Sequence, residues 1–143
     1  TGQSAETQRL KAELSKLSKG EKLQKDIEIL NQRIENNQKL IDTNSKMSDK
    51  EIIKIVSEPG YGRSSTGGWF ASQLQLLKWN ELSDEQKKRF GSEVEMEKDN
   101  KEQTQSAINW WKTRNIKWKE QDIVSSKKEM EKTQKKLDAL ANS

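Results

Sequence analysis

The sequence predicts an all-α protein: an elongated antiparallel helical hairpin, a coiled-coil-like stalk, with a small head of short helices at its apex. Three observations predict it. Apolar residues recur at alternating steps of three and four on both sides of the midpoint. Hydrophobic residues make up 29% of the 143 and charged residues 35%, too little apolar material for a compact globule but enough for a narrow seam. Four of the seven glycines and the single proline fall in one central stretch, SEPGYGRSSTGGWF at 57–70, so the helical pattern breaks once, in the middle.

The first stalk helix is expected over 1–47. Leu10, Leu14 and Leu17 open one stripe, and Leu23, Ile27, Leu30, Ile34 and Ile41 make a second, with Asn37 on the same seam either as a register-setting polar residue or at a solvated edge. The step of six from Leu17 to Leu23 breaks the phase near Gly20, which implies a kink or a change of packing partner.

The head is expected over 48–91. MSDKEIIKIV opens with a capping box, Ser48 and Glu51, and a hydrophobic staple, Met47 to Ile52; LSDEQKKRF repeats the box with Ser83 and Gln86. Between them GWFASQLQLLKW reads as a short apolar helix, after a Gly-rich loop at 57–68 whose glycines supply positive φ. Ile52, Ile53, Val56, Trp69, Phe70, Leu74, Leu77, Trp79 and Phe90 are the expected head cluster.

The second stalk helix is expected over 92–143. Ile116, Ile123, Met130 and Leu137 repeat every seven residues and Leu140 extends the stripe, while Ile108, Trp111 and Trp118 widen it into an aromatic face. Two long helices flanking a central break most simply fold back on each other, and all three segments then form a single elongated domain.

The chain contains neither cysteine nor histidine, so disulfides, thiolate chemistry, Cys/His zinc sites and histidine general bases are excluded. The net charge of +4 is spread along the chain rather than gathered into a basic block, unlike the usual nucleic-acid binder. No apolar run approaches the roughly 20 residues that cross a bilayer. The first residue is Thr1, not Met, so a processed or trimmed chain is expected; the lack of cysteine fits a secreted or periplasmic location, the one favoured, as well as a cytosolic one.

Carboxylates are plentiful but lie in the mixed-charge texture of exposed helix faces, where no opposed pair forms a cleft. GYGRSSTGG lacks the Lys and the preceding strand of a P-loop, and the glycine spacing of a dinucleotide fingerprint. An anion held by Arg63-Ser64-Ser65-Thr66 is the residual chemical reading of that stretch. An enzyme is not expected, nor any catalytic, cofactor-binding or metal-binding residue.

Tyr61, Arg63, Trp69 and Phe70 decorate the break, and Tyr, Trp and Arg dominate binding energy at protein interfaces. They are the expected partner-binding residues. A second candidate surface is Trp110, Lys112, Arg114 and Lys117 in INWWKTRNIKWK, where aromatic and basic groups interleave as they do in base-stacking and headgroup-seating segments. There Trp111 and Trp118 are expected to pack inward and Trp110 to be partly exposed.

KWNELSDEQKKRF resembles the second-helix segment of HMG boxes, but the basic, proline-containing arm of that family is missing and its function is not carried over. The layout as a whole is similar to colicin receptor-binding domains and to the tip subunits of type III and type IV secretion machines, hairpin stalks that end in a recognition tip. That likeness implies a non-enzymatic binding module whose apex meets a protein receptor or assembly partner. A nucleic-acid-binding helical protein using 108–119, and a structural coiled-coil protein that self-associates, are the alternatives.

Overall fold

The computed structural model describes residues 4–143, so the first three positions of the predicted first helix lie outside the described residues. The fold is all-α. Its elements are α1 (Ala5–Ser45), α2 (Asp49–Val56), a 3-10 turn (Trp79–Glu81), α3 (Asp84–Phe90), α4 (Glu93–Lys112), a π-helical segment (Thr113–Lys117) and α5 (Trp118–Ala141). Among the described residues, β pairing is limited to one isolated antiparallel bridge, Arg63 with Trp69, and no helix is long and apolar enough to cross a membrane. The described residues divide into two compact units: 4–42 with Trp118–Ser143, and Thr43–Lys117.

In the first unit α1 and α5 run antiparallel. Lys16 Nζ donates to the Ser143 carbonyl at 2.6 Å, Gly20 faces Leu137 and Leu140, and Arg33 pairs with Asp122. The predicted seam residues Leu23, Ile27, Leu30, Ile34, Asn37 and Ile41 all turn inward, as do Ile123, Met130, Leu137 and Leu140. Ser126 and Thr133 are buried between the apolar residues of α5, at 4% and 6% exposure. They complete a strict three–four alternation and keep the seam thin; the Thr133 hydroxyl is satisfied by the Glu129 carbonyl one turn back.

Near Gly20 the helix stays unbroken and the packing changes. The inward face continues from Leu23 through Gly20 to Lys16, and the missing side chain at Gly20 leaves room for Leu137 and Leu140. Leu10, Leu14 and Leu17 sit one residue out of phase with that face, about 100° around the helix, and are 48%, 66% and 63% exposed.

The seam carries an ionic lock. Arg33 grips Asp122 with two hydrogen bonds, at 2.8 and 2.6 Å, and Asn37 donates to the same carboxylate. The Arg33 hydrogen bond holds the Asp122 carboxyl below the ordinary carboxylate range; desolvation opposes it with the next largest effect, and the Asn37 hydrogen bond adds to the lowering. A depressed folded-state value stabilises above the unfolded value of about 3.9 and is lost as pH falls through the folded one. Thermal melts of the wild type and Asp122→Asn should therefore differ at neutral pH and converge as pH drops below about 3.9. The gap should be modest, since the pair is half open to solvent.

The second unit is built on α2. Ser48 Oγ accepts from the Glu51 amide at 3.2 Å, but the predicted box is half made: the Ser48 hydroxyl also donates to the Glu51 carboxylate, which makes no return bond to the Ser48 amide. The Ser83–Gln86 box is complete. Ile52 and Val56 on one face of α2 are fully buried and pack with Leu74, Ile108 and Trp111. Met47, the predicted staple, packs against that cluster.

Two expectations fail here. GWFASQLQLLKW is not a helix: after a bend at Ala71, residues 72–78 form a connecting segment that is neither helix nor strand, with Lys78 in the extended region before the 3-10 turn. The Leu74 amide donates to the Val56 carbonyl at 2.8 Å, and the Asn100 side chain clamps both backbone groups of Leu77, at 3.0 and 2.9 Å. Leu74 and Leu77 thus take their backbone partners from α2 and α4, and Leu74 is buried while Gln75 and Leu76 are exposed. The second failure is Trp69, placed in the predicted cluster but 68% exposed.

The π-helical segment explains why Trp111 and Trp118, seven residues apart, differ. A π turn inserts a residue and rotates the helix beyond it, so Trp111 is 5% exposed and Trp118, expected inside, is 44% exposed. Asn115 Nδ2 reaches back to the Trp111 carbonyl at 2.8 Å and Asn44 Nδ2 donates to the Asn115 carbonyl at 2.9 Å, satisfying groups that the wide turn loosens.

Candidate recognition loop

The stretch after α2 is a sequence of tight turns, each demanded by its residues. The Tyr61 amide donates to the Glu58 carbonyl at 3.1 Å, with Pro59 second and Gly60 third at φ +84°, the signature of a type II turn. The Arg63 amide then closes on Gly60 at 3.1 Å, with Gly62 at φ +87° in the same third position.

From Gly62 to Phe70 the chain forms a miniature hairpin. The Phe70 amide donates to Gly62 and the Ser64 amide to Gly68, both at 2.8 Å. The Gly67 amide returns to Ser64 at 3.1 Å, and Gly67 has φ +88°. This is a three-residue connection ending in a left-handed glycine. Ser64 Oγ accepts from the Gly68 amide at 2.9 Å and lies 3.0 Å from the Thr66 hydroxyl. Ser64 thus uses its amide, carbonyl and hydroxyl within the hairpin, which leaves little of the anion cradle that Arg63-Ser64-Ser65-Thr66 suggested.

The two flanking hydrogen bonds make Arg63 and Trp69 a non-hydrogen-bonded pair, the kind whose side chains lie closest. The Arg63 guanidinium accordingly sits 5.0 Å from the Trp69 ring centroid. Both side chains face solvent.

Tyr61 and Phe70 turn the other way. Their rings meet edge to face with centroids 5.8 Å apart, and Arg114 lies over Phe70 at 3.9 Å. Tyr61 also packs against the core cluster. Its hydroxyl is shielded with no hydrogen-bond partner, and burial raises its pKa although Arg114 opposes the shift. The four predicted residues therefore divide: Arg63 and Trp69 form the outer face, Tyr61 and Phe70 the support beneath it.

The second candidate surface does not assemble as one patch. Lys112 Nζ is 3.2 Å from Asp49 of α2, Arg114 covers Phe70, and Lys117 is exposed. Trp110, 36% exposed, lines an open groove of about 450 Å³ together with Tyr61, Leu74, Leu77 and Ala107. Sequence reasoning missed Arg114 as the bridge from helix to loop, and Asn100 as the clamp of the connecting segment; neither leaves a periodic signal. No protein-family model, curated protein or solved structure matches the chain.

Proposed function

We propose that the chain is a non-enzymatic binding module that recognises a protein partner through the Arg63–Trp69 face of its Gly-rich loop. One observation carries this reading: a Trp 68% exposed, stacked with Arg63, on a loop whose backbone is tied into consecutive turns and supported from below by Phe70 and Arg114. Trp and Arg are the leading hot-spot residues, and a preformed loop loses little entropy on binding. A receptor-binding or adhesion tip of an exported protein is the finer form of the proposal. The nucleic-acid alternative is weakened because Lys112 and Arg114 of its basic segment are engaged within the unit.

The test is capture from envelope and cytosolic extracts with the wild type and with Arg63→Ala/Trp69→Ala as parallel baits, followed by titration of the captured protein. The double variant is expected to bind at least about 30-fold more weakly, the loss of one hot-spot residue worth 2 kcal/mol. Equal capture by both baits, or capture solely of nucleic acid that salt releases, would reject the loop as the recognition site.

A further inference from the structure

The leucine stripe of α1 does not pack within the chain. Leu10, Leu14 and Leu17 are 48%, 66% and 63% exposed, and their phase is off the α1–α5 seam. An extension of α5 along that seam would meet the face of Arg9 and Glu13, one residue away from the leucines. The stripe runs into an open groove of about 740 Å³ that Leu17, Gly20, Leu137 and Leu140 line.

We propose that this face pairs with the same face of a second copy, antiparallel, with Leu14 of each chain opposite Leu17 of the other. Charge and register select this occupant and this arrangement. In heptad terms Leu10 and Leu17 are d positions and Leu14 is an a position, flanked at e by Lys11 and Ser18 and at g by Glu13 and Gly20.

A parallel in-register pair brings Glu21 against Glu21 at the next a layer and leaves the Leu137–Leu140 floor uncovered. The antiparallel register with Leu10 opposite Leu14 sets Lys11 against Lys11 and Glu13 against Glu13. With Leu14 opposite Leu17, Lys11 meets Ser18 and Glu13 meets Gly20, so both repulsions vanish. Leu10 then lies at the height of Glu21, over the Gly20–Leu137–Leu140 groove, and the adjoining Lys11 reaches the Glu21 carboxylate. The two-fold axis makes each of these contacts twice. The start of each α1 thus lies along the partner's α1–α5 pair.

The contact is short, below the roughly 1,200 Å² of standard interfaces, so the dimer should be weak and in exchange with monomer. Sedimentation of the full chain is expected to show concentration-dependent dimerisation near about 10–100 µM. Leu14→Lys should weaken it at least tenfold without loss of helicity, because that side chain is solvent-facing in the monomer.

The chain has no native cysteine to confuse cross-linking. Leu14→Cys and Leu17→Cys chains of different mass, mixed and oxidised, should form the mixed 14–17 disulfide in preference to either like pair. A wild type that stays monomeric over that range, a Leu14→Lys chain that dimerises as well as the wild type, or predominant 14–14 and 17–17 disulfides would each overturn the proposal. The inference is independent of the recognition loop, and none of these readouts involves Arg63 or Trp69.

Discussion

Gly62→Ala is expected to destabilise the Thr43–Lys117 unit by roughly 3–5 kcal/mol, a cost in the range reserved for strain and forced backbone movement. Two effects add. The residue has φ +87°, where a Cβ costs about 1–2 kcal/mol from backbone sterics alone. In addition, the added atom would stand 2.0 Å from the Ala71 carbonyl oxygen and 2.7 Å from its carbon. Both are backbone atoms, so no side-chain rotation relieves the clash, and the connecting segment after Ala71 must move.

Gly60 supplies the control. Its φ is +84° but nothing lies within 4 Å of its would-be Cβ, so Gly60→Ala should cost about 1–2 kcal/mol. Urea titrations of the two variants, followed by near-UV circular dichroism, separate the clash from the strain. Equal midpoints would show that the hairpin does not approach Ala71 as closely as the structure has it.

The helices were legible because burial in a thin seam leaves a clean three–four pattern in the residues. Leu23 to Ile41 and Ile123 to Leu140 are read from the sequence and found inward. What escaped was the part of the seam made by residues that do not look buried. Ser126, Thr133 and Gly20 occupy inward positions that no apolar side chain marks. Their small size lets a two-helix pair close tightly, and hydropathy cannot show that.

The loop was legible in its chemistry and only partly in its geometry. Proline and glycine spacing implied turns with positive φ, found at Gly60, Gly62 and Gly67. The failure of the helix expected at GWFASQLQLLKW has a physical cause, since its partners are the Val56 carbonyl and the Asn100 amide, both remote in sequence. Local propensity favoured a helix and tertiary hydrogen bonds overrode it. Likewise the alternation of strand side chains across two faces decides that Trp69 points out while Phe70 points in, a consequence of the hairpin that an assumed helix start could not yield.

Trp111→Ala should be the most damaging side-chain truncation in the Thr43–Lys117 unit, at about 3–5 kcal/mol. Trp111 is 5% exposed and packs with Ile52, Val56, Leu74 and Ile108, residues drawn from α2, the connecting segment and α4. No small shift of one element can fill the space, because the connecting segment is pinned at Val56 and again at Asn100. The transfer loss and the cavity therefore both count in full. Trp110→Ala, one residue earlier and 36% exposed, should cost far less. Against a typical domain stability of about 5–15 kcal/mol, the first substitution removes a large share and the second does not. Amide hydrogen exchange provides the sharper reading. In Trp111→Ala, protection at Ile52 and Val56 of α2 should fall by two or more orders of magnitude, since each 1.4 kcal/mol is tenfold. In Trp110→Ala it should stay close to the wild type. Similar loss in both variants would mean that the five-residue cluster does not hold α2, and would also remove the rigid base from which the proposed recognition loop is presented.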